Sequence, residues 1–171
     1  MLFPLRYLPY SLSKKDTKKQ RDLLQKSKKL YKKRVFFTRK KLASFTSRPS
    51  KHIVRARRLY KVATVTPNRE LARATGCSVT ALQKIVRKGE GAYYSSGSRP
   101  NQTARSWGLA RLASSITGGK SAAVDFAILQ SGCDARKPAM RLARSSRKKY
   151  GWGRSATKHR RTKHRRHTYG G

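Results

Sequence analysis

The positive charge of this sequence is divided unevenly, and that division limits what the chain can fold into. Residues 1–60 hold 20 lysines and arginines against 2 acids, and residues 61–100 hold 7 against 2. Residues 101–134 hold 3 against 2, whereas residues 135–171 hold 14 and no acid. Dense like charge repels itself, so a compact core belongs where the charge is least. The reading is a small module over 61–134 between a basic N-terminal arm over 1–60 and a basic C-terminal arm over 135–171. The whole chain carries a formal charge of +38 with only 6 carboxylates. So few acids cannot easily build a multi-carboxylate metal site or a paired-carboxylate hydrolase centre. No enzyme is expected. The charge predicts a place in an assembly, beside a polyanion, an anionic membrane or acidic protein neighbours.

The opening MLFPLRYLPY is apolar but interrupted by Pro4, Arg6 and Pro9. It lacks the basic region of a signal peptide and is expected to strap onto a neighbouring protein. No run approaches the ~18 apolar residues of a membrane span. Over residues 13–45, Leu24, Tyr31, Val35, Leu42 and Phe45 fit one face of a helix. Val35-Phe36-Phe37-Thr38 also reads as a short strand. A basic amphipathic helix can lie on an anionic membrane, pack on a partner or track phosphates. Phe36 and Phe37 are expected to meet a partner surface rather than water. Cys77 and Cys133 are far apart in sequence, and an unpaired intracellular state is expected over a disulfide scaffold.

Residues 66–89 read TPNRELARATGCSVTALQKIVRKG. Thr66 can cap a helix beginning at Pro67, with Glu70 in its first turn. Gly76 suits the left-handed residue that ends it. Ser78 can cap a second helix over 79–88, closed by Gly89. This resembles a DNA-binding helix-turn-helix, in which Ser78, Thr80, Gln83, Lys84 and Arg87 would face the groove. A purely structural helical hairpin needs much the same pattern, so both readings stand. The second candidate nucleic-acid site is the tail, where TKHRR occurs twice over 157–166. It offers Lys158, Arg160, Arg161, Lys163, Arg165 and Arg166 to phosphates, with no apolar periodicity to imply a packed core.

The low-charge centre is rich in turn signals at Gly89, Gly91, Gly97 and Pro100. Thr103 can cap a helix through about Ile116, with Trp107, Leu109, Leu112 and Ile116 as apolar contacts. Ser121 can cap another over 122–130, and Asp125 and Arg111 are plausible partners. Residues 114–121, SSITGGKS, come near a phosphate loop, but Ser114 stands where the first glycine belongs. The segment before it reads as helix, not strand, so nucleotide hydrolysis is not expected. Of the four histidines, His159, His164 and His167 lie among tail cations that oppose a metal, and His52 stands alone. Neither a metal nor a cofactor is expected.

The block GAYYSSGSRPNQTARSWGLARLASSITGGKSAAVD resembles a small domain recurring in proteins of large nucleocytoplasmic DNA viruses, including those of algae. The preceding ELARATGCSVTALQKIVRKG hairpin shares in the resemblance, which covers about residues 66–130. It implies a virion component without assigning catalytic residues. The fold expected is all-α: a small helical module containing a helix-turn-helix-like hairpin, with long basic extensions. The function expected is a minor capsid protein on the inner face of an icosahedral shell. Its partners would be other capsid proteins in a large hetero-oligomeric assembly, with viral DNA or an anionic inner membrane beneath. Its location would be the virion, and the host cell during assembly. The competing reading is a genome-packaging protein that condenses viral DNA.

Overall fold

In the computed structural model, which describes residues 3–153, the protein is all-helical. The helices are α1 (Lys14–Lys32), α2 (Lys51–Tyr60), α3 (Arg69–Thr75), α4 (Val79–Ser95), α5 (Ala104–Ile116), α6 (Lys120–Val124), α7 (Phe126–Gly132) and α8 (Pro138–Tyr150). Among the described residues, no helix is long and apolar enough to cross a membrane.

The architecture is organised around the crossing of α4 and α5. Gly89 does not end α4, as the sequence reading held. It sits inside the helix, and Gly108 of α5 lies opposite. A Cβ on Gly89 would come within 2.7 Å of the Gly108 Cα, and one on Gly108 within 2.7 Å of the Val86 carbonyl oxygen. The two backbones therefore touch where neither residue has a side chain. That contact offsets the ~1 kcal/mol propensity cost of glycine in a helix.

Apolar burial then builds outward from this pair. Leu82, Ile85 and Val86 of α4 meet Leu112, Ala113 and Ile116 of α5 in the main core. Ala56 and Tyr60 of α2 join from one side, and Ala139, Met140 and Ala143 of α8 from the other. The core thus reaches beyond residues 61–134 in both directions. A buried carboxylate ties the layers together. Asp125 accepts from Arg111 Nε (2.8 Å) and Nη2 (2.7 Å) and from Ser115 Oγ (2.9 Å), and Lys88 Nζ lies 2.9 Å away. Asp125 also divides the helix expected over 122–130 into α6, which Gly119 rather than Ser121 caps, and α7.

The cysteines are bonded to each other, which corrects the unpaired state expected of them. Their separation of 56 residues is bridged because α4 to α7 fold back on themselves. Cys77 occupies the turn between α3 and α4, and Cys133 follows α7. The two chain segments pair locally: Ser78 N donates to Gly132 O (2.7 Å) and Asp134 N to Gly76 O (2.8 Å).

A second, smaller cluster lies on the other side. Phe3, Tyr7, Leu8 and Leu24 are buried together with Trp107 packed against them. The apolar opening segment therefore straps onto its own chain. Trp107 was read as part of the Leu109–Leu112–Ile116 face. Counting turns at 3.6 residues puts it on the opposite side of α5, where its ring meets Tyr7 edge-on at 6.0 Å.

The helix read over 13–45 stops at Lys32. Arg34 takes a left-handed backbone (φ 61°) and reverses the chain. Residues 35–45 then run without regular structure across α4 and the loop after it. Polar clamps hold them there. The buried Arg39 guanidinium donates to Ser27 Oγ (3.0 Å), Tyr93 O (3.0 Å) and Ser98 Oγ (2.7 Å), and lies 3.7 Å from the Tyr93 ring centroid. Burial pushes its pKa below the ordinary arginine value. Asn101 bonds the backbone of Leu42 and Phe45.

Candidate nucleic-acid interface

The hairpin of α3 and α4 forms with the caps a helix-turn-helix needs. Asn68, not Thr66, caps α3, its side chain accepting from Leu71 N at 2.8 Å. Pro67 consequently lies outside the helix. Gly76 ends α3 in the left-handed region (φ 72°). A Cβ there would also strike the Lys137 side chain. Ser78 caps α4 by accepting from Ala81 N (3.2 Å).

The continuation of α4 to Ser95 gives it two contrasting faces. Leu82, Ile85, Val86, Gly89 and Tyr93 are buried. Thr80, Gln83, Lys84 and Arg87 are all exposed, and their spacing places them in one stripe opposite that buried face. The structure therefore brings together the four α4 candidates on a single open surface. Ser78 is exposed at the head of the stripe, with its hydroxyl engaged in the cap. Lys88 turns aside to Asp125. Lys158, Arg160, Arg161, Lys163, Arg165 and Arg166 lie outside the described residues.

The few acids are mostly engaged within the chain. Asp16 is taken up by Ser44, Asp125 by Arg111, Ser115 and Lys88, Glu90 faces Arg105, and Asp134 faces Arg136. Four of the six carboxylates thus have partners within the chain, three of them cations, so the pairing leaves the net charge of +38 unchanged, and that excess is what an approaching anion meets. Phosphates meeting the stripe find Lys84 and Arg87 as donors, and Thr80 and Gln83 as neutral hydrogen-bonding groups.

One part of this surface escaped the sequence reading. Tyr94 lies two turns beyond Arg87 and continues the stripe. Ending α4 at Gly89 hid it. Tyr94 stacks on Tyr31 of α1 (6.1 Å between centroids, planes 9° apart) and meets Phe36 at 5.1 Å.

Residues 114–121 lie across the end of α5 and the start of α6, without the buried strand that a phosphate loop follows. No curated protein and no solved structure matches the chain. A family model does match, over residues 4–137, which span α1 to α7. The chain belongs to that family, DUF5824, a family of unknown function.

Proposed function

We propose that this protein is a non-enzymatic structural component of a viral particle, a minor capsid protein on the inner face of the shell whose helical body meets the genome. The observation that carries the nucleic-acid contact is the open stripe of Thr80, Gln83, Lys84 and Arg87 on α4. Its setting, a protein with 44 cations against 6 acids, favours phosphate binding over base reading. The viral setting rests on the resemblance carried by the Gly-Ser-Trp block. The shell reading, over pure DNA condensation, is favoured by Val54 and Leu59, which α2 exposes on the surface at 46% and 45%. A condensing protein needs charge and little else, whereas apolar side chains on a basic helix suit capsid neighbours.

The test is a titration of the full chain with duplex DNA across salt, wild type beside a Lys84→Ala/Arg87→Ala double variant. The double variant loses affinity severalfold, and its log–log salt slope becomes shallower by about 2. Identical curves for the two proteins would remove α4 from the interface. In the intact particle, icosahedrally ordered density beneath the shell supports the capsid position. Density found only with the genome would replace it with the packaging reading.

A further inference from the structure

Phe36 is an unusual residue to leave in water, and it is 67% exposed. It does not dangle. Hydrogen bonds from Arg34 N to Tyr31 O (2.9 Å) and from Val35 N to Leu30 O (3.0 Å) close the turn that carries it back over the helix. Its ring lies 6.1 Å from Tyr31 and 5.1 Å from Tyr94. Tyr94 in turn meets the fully buried Tyr93 edge-on at 5.0 Å, and the Arg39 guanidinium lies 3.7 Å from the Tyr93 ring centroid. The exposed ring is thus the outer member of an aromatic chain anchored in the protein. Its position is fixed before any partner arrives, so a partner would meet a preorganised surface.

The surroundings point to the partner. Lys32, Lys33 and Arg34 precede Phe36 and are exposed, and Tyr94 continues the stripe of Lys84 and Arg87. An apolar ring set among cations, at the end of a phosphate-binding stripe, suits a ligand that is anionic along its backbone and aromatic along its side. Single-stranded nucleic acid has that chemistry. Paired bases in a duplex are stacked on each other and offer no free face.

We infer that Phe36, backed by Tyr94 and Tyr31, is a stacking platform for an unpaired base of a strand whose phosphates follow the α4 stripe. The inference rests on the nucleic-acid contact proposed above and specifies the form of nucleic acid that this end of the surface takes.

The experiment compares binding of the full chain to a single strand of thymidines and to an abasic strand of the same length. Phosphate charge is equal in the two, so a difference reports the bases. The wild type binds the thymidine strand about tenfold more tightly. Phe36→Ala removes most of that preference and leaves the abasic affinity unchanged, whereas Phe36→Tyr retains it. Because Phe36 is exposed, melting temperatures of the variants stay close to wild type. Equal wild-type affinity for the two strands overturns the inference, as does a preference that survives in Phe36→Ala. So does a poly-glutamate peptide of matched charge that binds as tightly as the thymidine strand and weakens in Phe36→Ala, since it would make the partner a protein. If duplex binding through Lys84 and Arg87 persists in any of these cases, only the stacking role falls. Failure of the wild type to bind any nucleic acid would remove the proposed function along with it.

Discussion

The main helical body and the N-terminal wrap over residues 3–45 are held in different proportions by apolar burial and by polar contacts. The body is a periodic structure. Leu82, Ile85, Leu112 and Ile116 recur at helical spacing and are fully buried, and most of the stability follows from removing them from water. The wrap buries only the smaller cluster of Phe3, Tyr7, Leu8 and Leu24, and beyond it is tied down by particular groups at particular points: Arg39 on Tyr93 and Ser98, Asn101 on Leu42 and Phe45, Asp16 on Ser44, and Trp107 on Tyr7. Periodic burial tolerates small changes distributed along a face. Point clamps do not, and losing one should open the segment locally while the body stays folded.

The largest effect should come from the body. Replacing Cys77 and Cys133 by alanine opens a loop of 56 residues and is expected to cost about 4 kcal/mol on chain-entropy grounds. Urea unfolding under non-reducing conditions reads it. A loss of less than about 1 kcal/mol would mean that the backbone pairing of Ser78 with Gly132 suffices without the bond.

Asp125→Asn follows, at about 3 kcal/mol. It removes the negative charge from a buried site that Arg111 and Lys88 converge on. The lower end of the usual range applies because both cations reach solvent. Protection from hydrogen exchange should fall across α4, α5 and α7 together, which distinguishes a hub from a local contact.

Trp107→Ala is expected to cost about 2 kcal/mol, less than for a fully buried indole. The comparison makes a sharper demand here than the size of the loss. Residues 3–12 and 33–45 should exchange faster, while Leu82 and Leu112 amides keep their protection. Equal loss across the body and the wrap would show that the two are a single cooperative unit.

The smallest effect is a pH dependence within the wrap. Hydrogen bonds from the Ser44 backbone and then the Ser44 hydroxyl hold the Asp16 carboxyl below its ordinary pKa. A carboxyl lowered in the folded state stabilises it fully above the unfolded pKa and ceases to do so as pH falls through the folded value. Acidification below the ordinary carboxylate range should therefore release Ser44 and its neighbours. Asp16→Asn should abolish the pH dependence of exchange at those residues, and its persistence would assign it to another group.

The same contrast explains what could be read from the sequence. Gly76, Ser78 and Thr103 were legible as helix boundaries because each acts within one turn of its own position. The Arg111–Asp125 pair was legible because so few acids were available to choose from. Gly89 was misread because its local signal is a helix end, and only the approach of Gly108, far along the chain, reverses it. Residues 33–45 were misread because their apolar members happen to fall at helical spacing, while the clamps that hold them are long-range and polar. The disulfide was invisible for a related reason: it depends on where α7 returns, not on any spacing near Cys77. In the candidate site, Thr80, Gln83, Lys84 and Arg87 follow from the resemblance to a helix-turn-helix, and helical periodicity sets them on one face of α4. Tyr94 was lost with the helix end, and its link to Phe36 depends on the turn at Arg34.

The most direct test of the account is a map of which backbone amides respond when nucleic acid binds. In a proton–nitrogen correlation spectrum of the full chain titrated with a short DNA duplex, the account predicts shift changes concentrated on residues 78–87 of α4. They should diminish in the Lys84→Ala/Arg87→Ala variant. Changes confined to residues 154–171, with the α4 amides unmoved at saturation, would contradict it and leave the helical body with no part in holding nucleic acid.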